Sequence, residues 1–231
     1  SLLFLPKQGR YTARLEAGII LRQGRSRIVD QFSRQVEATM AEKVFSERGY
    51  LTLISRREVP PGEFEAVTVV RDLGTGNIGA LRSTIKVPAF SSDRIAVSSL
   101  ILESQELKPR RVDIDPTTES DPSLVVPVPL RVFTRGAQVS GSCIVYHPQR
   151  EPTTGKARVR VEGSIRRGDE TVQSIAHSVH TIEAATRADV IPLYFPLPLS
   201  SLTPGLYSLE IQVLDEVGGR GVTQRVDFLV R

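Results

Sequence analysis

The chain has no tryptophan, one cysteine, one methionine and three histidines in 231 residues. A single cysteine, Cys143, rules out any disulfide within the chain. It sits in the alternating run Val139-Ser140-Gly141-Ser142-Cys143-Ile144-Val145, which reads as a small residue on a strand. A nucleophilic thiol would need a histidine base, and His147, four positions along a strand, is too far for direct contact. His177 and His180 are three apart, which on a strand puts them on opposite faces, so they cannot share a metal. No Gly-x-Ser-x-Gly elbow occurs and no Ser/His/Asp set can be assembled, so an enzyme is not expected. Long apolar runs are also missing: Leu2-Leu3-Phe4-Leu5 is far too short to span a membrane. The chain begins at Ser1 with neither a methionine nor a charged-then-apolar leader, which reads as a fragment or a processed form.

The formal charge of +4 is mild, and no block of lysine and arginine carries it. Carboxylates such as Glu16, Glu63, Glu65, Glu162 and Glu210 interrupt every cationic stretch. No aromatic RNA-binding motif or recognition helix accompanies the basic pI, so nucleic acid is not an expected partner.

What is present is a repeat. Residues 59–87 (VPPGEFEAVTVVRDLGTGNIGALRSTIKV) align without a gap on residues 202–230 (LTPGLYSLEIQVLDEVGGRGVTQRVDFLV). Pro61 falls on Pro204, Gly62 on Gly205, Phe64 on Tyr207, Asp72 on Asp215, Gly76 on Gly219 and Val87 on Val230. Each copy is a Pro-Gly turn, an alternating strand, a glycine-bearing turn and a second alternating strand, which is a β-hairpin. The likeness extends upstream, where Tyr11–Leu21 and its return from Ile28 answer Ala157–Ile165 and its return from Val172. Many short strands with Gly/Pro turns, in copies of about 100 residues, are the pattern of a β-sandwich.

The organisation expected is a first module over 1–105, a linker over 106–122 and a second module over 123–231. In residues 28–48, Ile28, Phe32, Val36, Met40 and Val44 recur every four positions, so strand is expected to about Ala38 and a short helix over Met40–Arg48. Val125–Val132 and Val139–Tyr146 read as a further hairpin. Alternation assigns Tyr207, Leu209, Ile211, Val213, Val226, Phe228 and Val230 to the second core. The matching set in the first is Phe64, Ala66, Thr68, Val70, Ser83, Ile85 and Val87. Val67 and Val69 lie on the face that should be polar and need cover.

Three motifs have a chemical and a structural reading. Gly74-Thr75-Gly76-Asn77-Ile78-Gly79 fits G-x-G-x-x-G after a strand, but a dinucleotide site needs a helix next. The alternating Ser83-Thr84-Ile85-Lys86-Val87 follows instead, so a hairpin turn is expected and no cofactor. Arg167-Gly168-Asp169, the tripeptide read by integrins, lies at a hairpin tip, where glycine and aspartate are favoured for backbone reasons alone. Asp113, Asp115, Glu119 and Asp121 could rigidify an interdomain junction by holding calcium, and they are the only metal candidates. A solvated acidic linker is the reading preferred for them.

These residues carry a family likeness. The runs are Val59-Pro60-Pro61-Gly62-Glu63-Phe64, Val70-Arg71-Asp72, Gly76-Asn77-Ile78-Gly79, Val87-Pro88-Ala89-Phe90 and Leu100-Ile101-Leu102. Together they resemble the C-terminal region of secreted bacterial VWFA-related (acidobacterial) and GWxTD-domain proteins. Leu202-Thr203-Pro204-Gly205-Leu206-Tyr207 and Val226-Asp227-Phe228 resemble the module that follows it there. The chain has no Asp-x-Ser-x-Ser run, so the metal-dependent adhesion of a VWFA domain does not carry over.

The resemblance implies an all-β chain of two tandem Ig-like, fibronectin-III-like sandwiches, extracellular, periplasmic or attached to the cell envelope. The function expected is that of a non-catalytic spacer or protein-interaction module, with an upstream domain or a cell-envelope protein as partner and no small molecule. The alternative is a carbohydrate-binding accessory module. That would need exposed planar aromatics, whereas Tyr11, Tyr50, Tyr146, Tyr194 and Tyr207 mostly occupy core-like positions.

Overall fold

A computed structural model of the chain describes residues 2–24, 26–41, 51–91, 93–104, 110–113, 128, 130–183 and 189–231. These residues are all-β, without a helix. The chain divides into two compact units, one of residues 1–89 with 109–124 and the other of residues 90–108 with 125–231.

The first unit is built on β1 (Leu5–Lys7), β2 (Arg10–Gln23), β3 (Arg27–Ala41), β5 (Gly62–Asp72) and β6 (Ile78–Val87). β2 is its axis. It pairs with β3 along one edge, and on the other with β1 near its start and β5 thereafter. β6 closes the row beside β5. A separate parallel pair joins β4 (Leu51–Ile54) to β9 (Arg110–Asp113). β3 runs through Ala41, past the point where helix was expected, and 42–50 lie outside the described residues.

The second unit has two sheets. The larger is ordered β10 (Val132–Phe133), β16 (Arg220–Val230), β15 (Gly205–Asp215), β12 (Ala157–Arg167) and β13 (Glu170–Ile182). The smaller is centred on β11 (Gln138–Tyr146), with β14 (Val190–Pro198) on one side and β7 (Ala96–Val97) and β8 (Ile101–Ser104) on the other. Ile191, Leu193, Phe195 and Leu197 are buried on β14, and Val159, Val161, Leu209, Ile211 and Val213 on β12 and β15. Each sheet thus has one buried face, and the unit is sandwich-like. Gly141 lies opposite Phe195, whose ring occupies the space a Cβ on Gly141 would need, at 2.1 Å. The glycine therefore lets an aromatic lie flat across its neighbouring strand.

Two expectations are corrected by these pairings. Residues 90–105 were expected in the first module, but β7 and β8 pair with β11 of the second unit. β10 does not form a hairpin with β11; it runs parallel to β16, with Val132 beside Leu229 and Phe133 beside Val230. Parallel pairing across almost a hundred residues leaves no local turn signal to read.

The duplication is structural. The order β3–β2–β5–β6 reappears as β13–β12–β15–β16. Gly62 pairs with Val87 as Gly205 does with Val230, and Phe64 with Ile85 as Tyr207 does with Phe228. Gly62 and Gly205 share a φ of 155°, which a side chain rarely adopts. Phe64 and Tyr207 are both buried, at 1% and 3% exposure.

Each hairpin turn is also held by the same buried aspartate. Asp72 Oδ2 accepts from Leu3 N at 2.6 Å, and its Oδ1 accepts from Gly74 N at 2.8 Å and Thr75 N at 3.2 Å. Asp215 Oδ2 accepts from Gln149 N at 2.7 Å, and its Oδ1 from Val217 N and Gly218 N at 3.0 Å. The carboxylate thus satisfies turn amides that no strand pairing serves, and ties the turn to the chain that leads into the sheet, at Leu3 ahead of β1 and β2 and at Gln149 ahead of β12.

The copies differ in what covers them. In the second, the expected core set of β15 and β16 is buried throughout. In the first, Phe64 and Ala66 are buried, but Thr68 and Ser83 are exposed and Ile85 is 38% exposed. Nine of the ten residues of β6 are exposed. Val67 and Val69 are half-buried.

Candidate functional site

The motifs with a chemical reading resolve into turns. Gly74, Thr75 and Gly76 form the β5–β6 turn, with φ of 77° at Gly76, and strand follows directly, so no helix N-terminus faces a phosphate. Gly168 takes φ of 61° at the β12–β13 turn. Arg167 is folded back there: Nη1 donates to Thr203 Oγ1 at 3.1 Å and the guanidinium lies 5.7 Å from the Tyr207 ring centre. That arginine buttresses the hairpin core rather than standing free beside Asp169.

Of the metal candidates, Asp113 is the last residue of β9, beside Ile54, and Asp115, Glu119 and Asp121 lie outside the described residues. Among the described residues no trio of His, Cys, Asp and Glu is placed to hold a metal. His177 and His180 are separated as their spacing predicts. His177 Nδ1 is 3.9 Å from Glu162 Oε1, while His180 Nε2 is 3.0 Å from Ser178 Oγ.

Cys143 is buried, and desolvation pushes its thiol up to about 11. At pH 8 only about one thiol in a thousand is then ionised, against roughly one in ten at the ordinary value of 9.0. A thiol-specific reagent should therefore label Cys143 only after unfolding. Rapid stoichiometric labelling of the folded protein would place the thiol at the surface.

Two clefts lie in the second unit. One, of about 400 Å³, is bounded by Ser99, Arg131, Gln224, Arg225 and Asp227. Three of its polar side chains are engaged with neighbours: Arg225 Nη2 donates to Ser208 Oγ at 2.7 Å, Ser208 Oγ donates to Asp227 Oδ1 at 2.7 Å, and Gln224 Nε2 donates to Val97 O at 2.9 Å. The other, of about 230 Å³, is a shallow polar dip between Glu162, Ser174, His177 and Glu210. Its polar groups face one another across strands, Arg166 Nη1 lying 3.7 Å from Glu210 Oε1 and His177 Nδ1 beside Glu162. Neither cleft holds an aligned nucleophile and base.

The surface that stands out is β6. Ile78, Leu81 and Ile85 are 66%, 68% and 38% exposed on one strand, and β6 pairs only with β5 among the described residues. An exposed apolar strand with an open edge is a ready template for another chain. The repeat itself carried the missed signal. Where the second copy buries Val226 and Phe228, the first has Ser83 and the smaller Ile85.

No protein-family model matches the chain, and no curated protein matches it.

Proposed function

We propose that this chain is a non-catalytic pair of tandem Ig-like, fibronectin-III-like β-sandwiches, exported to the cell envelope or beyond. In this reading it serves a larger secreted, VWFA-related protein as a spacer and a protein-interaction module. One observation carries it: β6 exposes Ile78, Leu81 and Ile85 along an open edge, where the matching strand of the second unit is paired and buried on one face. A protein partner, an upstream domain or a cell-envelope component, is the natural cover for such a strand.

The test is site-specific photo-crosslinking in cells that make the protein. A photoreactive residue at Leu81 should trap one defined polypeptide, and the same residue at exposed Thr153 should not. Equal trapping at both positions, or none at Leu81, would sink the interaction reading.

One observation favours a carbohydrate-binding alternative. Tyr194 is 66% exposed on β14, a planar ring available for stacking on a sugar face. Binding on a glycan array that disappears in Tyr194→Ala would favour it. Tyr207 is buried and Tyr146 is stacked on Phe90 at 4.9 Å, so neither offers a free platform beside it.

A further inference from the structure

The backbone of β6 is open as well as its side chains. Asp72 N donates to Asn77 O at 2.8 Å, which fixes the bonded pairs of the hairpin. Alternation from that pair turns the N–H and C=O of Ile78, Ala80, Arg82, Thr84 and Lys86 away from β5. None of these five is proline, so the edge offers five donors and five acceptors.

Other edges are treated differently. β14 borders its sheet with Pro192, Pro196 and Pro198. Ile144, opposite Pro192, spends its N–H and C=O on Ser98, so the missing proline N–H groups fall on the free side of β14 and block an added strand. β3 and β13 are also end strands, but Asp30, Arg34 and Glu37 mix both signs along β3, and β13 faces two register shifts. On β16 the end of the equivalent edge is taken: Leu229 N donates to Arg131 O at 2.9 Å as β10 runs alongside Leu229 and Val230. Leu229 corresponds to Lys86, and Arg231, which donates to Phe133 O at 2.8 Å, corresponds to Pro88. Proline has no N–H, so a strand added to β6 must end at Lys86.

We propose that β6 takes up an extended segment of another polypeptide as an added strand, with carboxylates opposite Arg82 and Lys86 and apolar residues between them. This rests on the interaction-module reading. Main-chain bonds along the five outward residues hold the segment, and side chains select it. β6 carries Arg82 and Lys86 and no acid, and the Arg82–Glu65 contact of 3.5 Å is exposed on both sides. A neighbouring strand with acids at those two positions gains a cross-strand ion pair at each, and one with cations there is repelled. The apolar positions between them lie beside Leu81 and Ile85. A second copy of β6 is a poorer occupant, because it brings cations and no acid.

The probe is a capped peptide, Thr-Val-Glu-Val-Thr-Val-Glu-Val-Thr, with its glutamates spaced as Arg82 and Lys86 are. Titrated against the full chain and followed by fluorescence anisotropy, it should bind saturably, and its lysine counterpart should not. Thr84→Pro removes an outward N–H that β5 does not use, so the hairpin survives while peptide affinity falls about tenfold or more. Arg82→Glu with Lys86→Glu leaves the backbone intact and should reverse the preference between the two peptides. It therefore keeps the test decisive if Thr84→Pro unfolds. No saturable binding, or a charge variant that binds both peptides as the parent does, overturns the proposal. So does a folded Thr84→Pro protein that binds the acidic peptide with parent affinity. A dimer in sedimentation equilibrium that dissociates on Thr84→Pro would give the edge to a second copy and overturn the proposed occupant. If the Leu81 photo-adduct persists in Thr84→Pro, the interaction stands and strand addition fails; if the parent gives no adduct, the interaction reading itself fails.

Discussion

Phe228→Ala is expected to destabilise the second unit by about 3–5 kcal/mol, the range for truncating a buried phenylalanine. The ring is 1% exposed, packed 5.9 Å from Tyr207 and 6.3 Å from Phe133. These partners come from β15 and β10, the strands on either side of β16, so truncation removes the side chain that locks three strands together. The cavity would open beside Phe133 and Tyr207, which are 1% and 3% exposed, so it lies inside the core. Ile85, at the matching place in the first unit, is 38% exposed, and its truncation should cost about 1 kcal/mol or less. Hydrogen exchange of β15–β16 amides across a urea series would isolate the second unit from the first. A loss below about 1 kcal/mol for Phe228→Ala would mean that the ring is not the centre of that core.

The pair of substitutions also marks how far the sequence is legible. Alternation finds both hairpins because period-two patterning and Gly/Pro turns are local signals, and the repeat then reads them twice. It assigns Phe228 to a core correctly, and it assigns Ile85 to one with equal force. Whether an apolar face is covered depends on other strands, and alternation is silent about them. The same limit hides the pairing of β10 with β16 and the membership of β7 and β8 in the second unit, since both are long-range choices. Val67 and Val69 did stand out in the sequence as apolar residues on the wrong face. The neighbouring strand, β6, did not, because its exposure became visible only beside its buried counterpart.

Asp72 and Asp215 show a role that sequence placed but did not explain: they align in the repeat, yet alignment says nothing of the amides they bind. Asp215→Ala is expected to cost about 2–5 kcal/mol, since three backbone N–H groups lose their acceptor at a residue that is 2% exposed. Asp215→Asn should recover part of the loss, because one oxygen remains for Val217 and Gly218 while the amide N–H₂ confronts Gln149 N–H. The first unit adds a pH dependence. The Leu3 N–H bond holds the Asp72 carboxyl below its ordinary 3.8, opposed by desolvation and aided by the Gly74 and Thr75 amides. A carboxylate whose folded value is depressed contributes stability that is present above the unfolded value and lost as pH falls through the folded one. The gap in stability between the parent and Asp72→Asn should therefore be constant near neutrality and narrow below pH 3.8. A gap that stays unchanged into strong acid would mean that the turn is held by its glycines and strand pairing, with the aspartate charge irrelevant to it. A loss under about 1 kcal/mol for Asp215→Ala would extend that conclusion to the second copy, with water replacing the carboxylate at each amide.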